Sequence, residues 1–441
     1  MDIIIIINFR KGGIFLKKLI LLPIAAALLC GCGAGYQTST TSSEFSANII
    51  DDSSESVLPF DDYFPEIQPD TPVLTYLGRR DLKGSDALSL YKKTFAADYS
   101  ESETLIREYC SEYRLADALS EKISSDRSPD LTDKLPNSYP YLMSKNYYED
   151  LTQYLDRSAP QWEEYAPYID YYSYNGNHFF YPETVTAAPR FLVYCKERFS
   201  TLGITDPEQL YYDNKWTRTE FVNAARTFCG AMGGVGVYGD YITDGFISAA
   251  GETVFSKSDN GQLVCNLNGA KITEVFDFLK DELSAKMSTE SFTGYDKIIN
   301  GRAAFLLVDD KGYEELLEID SWKTYGAVPI PRSDESEIYY TAASCDGFLV
   351  PKGAKNVKGA ACFINCGRIA ARQNEAQAAE STLGKMRENG LTAVPEENYC
   401  FDADTNAAIS AYLNSALSRG EETSADALAI ETAIAEINSL N

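Results

Sequence analysis

From Pro72 onward, short apolar runs alternate with stretches whose apolar residues recur at helical spacing. Val73-Leu74-Thr75-Tyr76-Leu77 predicts a short buried strand. The stretch 86–95, carrying Leu88, Leu90, Tyr91 and Phe95, predicts a helix, 104–109 a second strand, and 115–123 another helix before the turn at Ser128-Pro129-Asp130. Further on, 191–194 and 303–308 read as strands. Helices are expected over 220–228, over 272–283 (Ile272, Val275, Phe276, Leu279 and Leu283 on one face), from about 352 through 384, and over 407–417 and 424–440. Such alternation favours an α/β architecture with helices covering the sheets. The chain shows no internal repeat, but its middle turns aromatic: Tyr165, Tyr168, Tyr171, Tyr172, Tyr174, Phe179 and Phe180 crowd around the hairpin-like Asn175-Gly176-Asn177.

The first segment breaks this pattern. Lys17 and Lys18 precede an apolar run over 19–29 that is too short to span a bilayer and suits a signal peptide. Leu29-Cys30-Gly31-Cys32 then resembles a bacterial lipobox, which implies cleavage after residue 31 and lipidation of Cys32. An ordinary thiol behind a simple signal is the alternative. Residues 1–15 look wrong for a signal start. Lys11-Gly12-Gly13 is what a purine-rich ribosome-binding site encodes when translated, so initiation is expected at Leu16. From 32 to 70 the chain is rich in Ser, Thr, Asp and Glu with few periodic apolar residues, and reads as a flexible tether.

Composition narrows the class. With 441 residues the chain exceeds what one core usually supports, so two lobes are expected. A net charge of -26 opposes binding to nucleic acid or to an anionic membrane face. Beyond Cys30 and Cys32, cysteines 110, 195, 229, 265, 345, 362, 366 and 400 show no CxxC spacing. With one histidine in the chain, no metal site and no cofactor are expected, and histidine-based triads are largely excluded. Whether any of those thiols pair is open at this stage.

Several stretches, in order, resemble the bacterial extracellular solute-binding family represented by maltose-binding protein. Ile123 to Leu131 (ISSDRSPDL) is similar to the family's helix followed by Pro-Asp and a strand. Asn175-Gly176-Asn177, Phe180-Tyr181-Pro182 and Leu192-Val193-Tyr194-Cys195-Lys196 resemble its "NGK…YP…LYYNK" strand pair, with Cys195 in the usual Asn place. Gly203 to Pro207 followed by Trp216-Thr217-Arg218-Thr219-Glu220-Phe221 resembles "G…P.TWDEF". Ile299 to Phe305 (INGRAAF), Tyr325 to Pro331 (YGAVPIP), Gly347 to Asn356 (GFLVPKGAKN) and Gly420 to Ile437 continue the likeness across about 120–440. It implies a two-lobed periplasmic-binding-protein fold of type II, an α/β fold with the ligand in a cleft. The expected lobes are 71–185 plus 346–400 and 186–345 plus 401–441. It also implies a monomeric, non-enzymatic lipoprotein on the outer face of the cytoplasmic membrane. Such a protein captures a small solute, most often a carbohydrate, and delivers it to ABC permease subunits.

A carbohydrate site needs flat aromatics and charged or amide side chains, usually in loops after strand ends. Such positions are Asp81 with Arg79 and Arg80, Asp133, Tyr174 with Asn177 and His178, Tyr241 with Asp244, Asp309 with Asp310 and Tyr313, and Asp346. For each there is a plain alternative: a tyrosine packs, an aspartate after a strand turns the chain, Trp216 fills a helix start and His178 is structural. Gly234-Val235-Gly236-Val237-Tyr238-Gly239 formally matches GxGxxG, but it follows a helix instead of a strand, so its glycines should simply lead the chain into a strand. Two other classes stay open on sequence: a secreted glycan-active enzyme with paired carboxylates, and a solute sensor independent of transport. Intact-mass measurement of the unprocessed precursor is expected to find a chain lacking residues 1–15; their presence would refute initiation at Leu16.

Overall fold

The computed structural model describes residues 67–258, 261–283, 287–378, 382–418 and 424–440. The expected signal segment, Cys32 and the tether to residue 66 lie outside them. The first sheet is built from β1 (Leu74–Gly78), β2 (Leu105–Tyr109) and β3 (Leu131–Asp133). β2 and β3 both run parallel to β1. The chain then passes through β4 (Thr184–Ala187) into a second sheet made of β5 (Phe191–Cys195), β6 (Val235–Gly239), β9 (Ser288–Glu290), β10 (Ala303–Val308) and β11 (Tyr325–Val328). Its order is β11-β5-β10-β6-β9. Between β6 and β9 sits the hairpin of β7 (Phe255–Lys257) and β8 (Leu263–Cys265).

The chain returns through β12 (Tyr339–Asp346) to β13 (Phe348–Leu349), which joins the first sheet antiparallel to β3. β12 pairs antiparallel with β4 and parallel with β14 (Leu391–Pro395), giving a third sheet of order β14-β12-β4. Two of its strands are therefore the connections between the larger sheets.

Local chemistry accounts for the elements. The helix Asp86–Phe95 opens on Ser85, whose hydroxyl accepts from the Leu88 amide at 3.2 Å, and buries Leu88, Leu90 and Tyr91. The helix Arg218–Met232 opens on Thr217 and ends where Gly233 takes φ +70°, a conformation that glycine adopts without a Cβ penalty. Trp216 ahead of it is fully buried, its indole N–H donating to the Pro329 carbonyl at 2.9 Å, so it packs at the helix start. The glycines of the GxGxxG-like run serve strand packing: a Cβ on Gly234 would lie 2.3 Å from the Arg302 carbonyl oxygen.

Two stretches differ from the pattern. The strand expected from 104 starts at Leu105, because Glu101–Thr104 forms a helical turn with a Ser100–Glu103 capping box. The polar run after β10 opens a helix that the pattern did not indicate: Asp309 caps the helix Asp310–Ile319, accepting from the Gly312 amide at 2.8 Å. β14 and β4 were not expected at all.

Two large bodies of core follow the sheets, and a third cluster gathers Leu77 of β1 and Leu349 of β13 with Leu115, Tyr139 and Phe180. Around the first pack Tyr91, Trp162, Tyr181, Phe348 and Phe363; around the second pack Tyr194, Phe199, Trp216, Phe221 and Phe305. Met386, Cys400 and Phe401 belong to the second. All eight described cysteines carry free thiols. Burial pushes those of Cys345 and Cys362 up to about 12. Among the described residues no helix is long and apolar enough to cross a membrane. Phe305 is fully buried and rings the centre of the second core, with Phe221 at 5.1 Å, Phe199 at 5.3 Å and Trp216 at 5.8 Å between centroids. Phe305→Ala should cost about 3–5 kcal/mol of unfolding free energy in chemical denaturation; a loss under about 1 kcal/mol would mean that this core does not hold the second sheet together.

Candidate functional site

In each large sheet the parallel strands end along one edge. In the first, β1 and β3 end at Gly78 and Asp133, and β13 begins opposite Asp133. In the second, β6 and β10 end side by side, and antiparallel β5 begins opposite Val308. Arg79, Arg80 and Lys134 thus follow the first carboxyl edge, while Arg190, Tyr241 and Asp309 border the second. Such edges are where α/β folds bind ligands.

At the first edge Asp133, buried, organises the groups. It accepts from the Tyr76 hydroxyl at 2.8 Å, the Arg79 amide at 2.8 Å and the Arg80 Nε at 2.7 Å. A Cβ on Gly78 would lie 2.5 Å from its Oδ2, so only glycine fits that strand end. Arg80 also donates to the Gly347 carbonyl at 2.8 Å, reaches Glu183 at 3.5 Å and lies 3.7 Å over the Phe348 ring. Burial raises the pKa of Glu183 despite the opposing Arg80 charge. Beside these groups opens a cavity of ≈ 400 Å³ lined by Arg80, Ser85, Asp86, Glu183, Thr184 and Asn374, among others.

The chain leaving β14 connects the two edges. Glu397 accepts from Lys134 of the first edge at 2.6 Å and from the Tyr172 hydroxyl. Its neighbour Glu396 pairs with Arg190 of the second edge at 2.5 Å. Burial works to lower the Lys134 pKa, but the Glu397 charge and hydrogen bond outweigh it and the net shift is upward. Asn398 Nδ2 donates to Asp244 Oδ1 at 2.8 Å and to Glu396 Oε1 at 3.1 Å. The Tyr399 hydroxyl reaches Asp244 Oδ2 at 3.3 Å. Asp244 lies in the first turn of the helix Ile242–Ala249, which approaches the strand end so closely that a Cβ on Gly245 would lie 2.2 Å from Ile330 Cδ1. Tyr241, 45% exposed, carries the Arg190 guanidinium 4.9 Å from its ring and lies 5.9 Å from the Tyr399 ring.

The sequence-predicted residues divide accordingly. Tyr241 and Asp244 come together with Arg190 and Glu396 at the second edge, and Asp133 anchors the first. Asp310 is held by Arg387: its carboxylate takes a bidentate pair from Arg387, which also donates to the Ala187 and Ala188 carbonyls beside β4. Asp309 caps its helix through Oδ1. Tyr313 is core, its ring 5.8 Å from Phe191 and its hydroxyl donating to the Tyr325 carbonyl. Tyr174 and Asn177 close the tight turn around Asn175-Gly176 by reciprocal backbone hydrogen bonds. His178 lies by Asp170 and Thr152. Asp81 is exposed and 3.6 Å from Arg107. Asp346, exposed, sits at the end of β12 beside the first edge.

Sequence reasoning missed Glu183, Arg190 and the run Glu396-Glu397-Asn398-Tyr399. That run, two carboxylates, an amide and an aromatic directly after Val394-Pro395, was the available signal. Among the described residues no group of three or more His, Cys, Asp or Glu is placed to hold a metal ion.

No family model matches the chain, and a search of curated proteins finds no match. Solved structures do match. The GacH receptor of Streptomyces glaucescens, described unliganded and with acarbose, is 15% identical, with a TM-score of 0.54 over 83% of this chain and 98% of that one. The cyclic alpha-maltosyl-1,6-maltose binding protein from Arthrobacter globiformis is 14% identical, with a TM-score of 0.58 over 83% and 98%. The maltotriose binding protein of Thermus thermophilus, bound with maltotriose, is 15% identical, with a TM-score of 0.52 over 83% and 99%. This chain therefore has the two-lobed α/β fold of those binding proteins.

Burial, then the charge of Glu396, pushes the Asp244 carboxyl up to about 6, with Arg190 opposing. A carboxyl raised above its ordinary value holds its proton more tightly folded than unfolded. The stability it contributes is complete below about pH 4 and is lost as pH rises through about 6. Asp244→Asn should flatten that part of the fall in unfolding free energy, measured by denaturation at pH 4, 5, 6 and 7. An unchanged slope would mean that Asp244 titrates normally.

Proposed function

We propose that this chain, carrying the two-lobed fold of ABC-transporter solute-binding proteins, captures a small solute, a carbohydrate, and hands it to the permease subunits of an importer. The observation that carries this reading is the pair of carboxyl edges, one per lobe, converging on the chain after β14. There Glu396 and Glu397 reach opposite lobes. Side chains from both edges can grip one ligand, and movement about the three-stranded crossing sheet can open and close the space between them. Arginine, carboxylate, amide and tyrosine side chains suit hydroxyl edges and ring faces.

In this reading lobe one comprises 71–185 with the return segment from 346 through the helix Val357–Ala378. Lobe two comprises 186–345 and 401–441, with β14 in the crossing between them. The ligand groups are Arg80, Asp133, Glu183, Arg190, Tyr241, Asp244, Glu396 and Asp346. Lipidation at Cys32 would hold the protein at the outer face of the membrane, with the acidic stretch to residue 70 as tether. Capture and release need no bond-breaking step, so the protein acts as a carrier.

Thermal unfolding of the purified chain against mono- and oligosaccharides, polyamines and amino acids tests the reading. A ligand at a hundred times its dissociation constant should add about 2.7 kcal/mol, and the sugar should be recovered unchanged. Asp133→Ala should remove the shift. A consumed sugar would replace the carrier by a glycan-active enzyme, and a shift only by non-sugars would overturn the substrate class.

A further inference from the structure

Within that reading, we infer that the groups around Asp244 form a subsite for a protonated amine on the captured solute, so that the ligand is an amino sugar or a similar aminated polyol. Two carboxylates and one guanidinium meet there, and the guanidinium is committed to Glu396 Oε2 at 2.5 Å. Asp244, only 1% exposed, is left with neutral donors: the Asn398 amide at 2.8 Å and the Tyr399 hydroxyl at a long 3.3 Å. A buried carboxylate without its own cation is costly, so such a group either takes up a proton or waits for a cation from outside.

Asn398 supplies an independent sign. It is 4% exposed, its nitrogen bridges Asp244 and Glu396, and its Oδ1 has no hydrogen-bond partner. The unused capacity at this spot is thus chiefly that of an acceptor. An ammonium group, with three N–H donors and a full charge, satisfies the Asp244 carboxylate and the Asn398 oxygen together. A plain hydroxyl donates one hydrogen and leaves the charge unbalanced, and a carboxylate or phosphate is repelled. Tyr241, half-exposed, and Tyr399 stand at the outer side with rings 5.9 Å apart. They offer π-faces to the cation and to the sugar ring that bears it.

The amine takes the place of a proton. The groups facing Asp244 are Glu396, Asn398 and Tyr399 from the chain after β14 and Arg190 from just before β5, while Ser248 of its own helix donates to Glu396 and Tyr241 lies under Arg190. Phe246 of that helix packs on Phe278, so the neighbouring helix Ala270–Glu282 presents an apolar ring there. Arg190 and Glu396 stay paired, and Asp244 is the group left to exchange its proton.

Calorimetry on the purified full chain tests this with glucose, glucosamine and N-acetylglucosamine, with the galactose series, and with cello-, chitosan and chitin oligosaccharides. The N-acetyl members match the amines in position but carry no charge. The expected result at pH 7 is at least tenfold tighter binding of an amine than of both uncharged partners. That preference should shrink as pH falls through about 6, with proton release seen as buffer-dependent heat, and should vanish in Asp244→Asn. The pH series on the unaltered chain keeps the test valid should the variant fold poorly. Equal binding of the uncharged sugars, or a preference that survives Asp244→Asn, overturns the amine subsite and leaves the solute-binding reading standing. Binding of spermidine or putrescine alone supports the subsite but overturns the sugar. If no compound of either set binds, both readings fall.

Discussion

The seam of this molecule depends on two consecutive carboxylates. Successive side chains of an extended segment point to opposite sides, and the chain leaving β14 uses this to send Glu396 to Arg190 and Glu397 to Lys134. Those cations border different sheets. One short segment therefore bridges both carboxyl edges, and the burial of its ion pairs makes the bridge selective: an unpaired partner on either side would be left as an uncompensated buried charge. The rest of the seam is arranged around it, with Asn398 and Tyr399 completing the second edge and Tyr172 closing on Glu397.

The two edges differ in character. At the first, Asp133 and Glu183 share Arg80, two carboxylates on one guanidinium, and Tyr76 and the backbone supply the remaining donors to Asp133. At the second, Glu396 holds Arg190 directly and Asp244 is met by neutral donors; burial raises the pKa of Glu183 and Asp244 alike. The crossing sheet between the edges is narrow, three strands of which two are the connections themselves.

Much of the fold was legible in the chain. The helix over 86–95 appears with those bounds because its serine cap, apolar face and final lysines agree. Val235 to Gly239 form a strand, with Gly234 leading into it, as their position after a helix indicated. Tyr241 and Asp244 were marked as binding positions and do stand together at a strand end. Asp309, Asp310 and Tyr313 were marked on the same grounds, yet they cap a helix, clamp Arg387 and fill a core. A polar residue after a strand serves a turn as readily as a ligand, and local pattern does not separate the two. β4 and β14 escaped because four- and five-residue strands buried only in part carry almost no periodic signal.

By itself the sequence determined the alternation of strands and helices, the expectation of two lobes, an order of motifs resembling those of solute-binding proteins and an acidic, histidine-poor character that weighs against several chemistries. These follow from local propensity, spacing and composition, which act over a few residues or over the chain as a whole. Only the tertiary structure decided which charges meet. Arg190 and Glu396 lie far apart in sequence, as do Lys134 and Glu397, and each pair is made by the closing of the third sheet. A contact between distant residues costs chain entropy that the folded core as a whole must offset, so it is written in no single stretch of the chain.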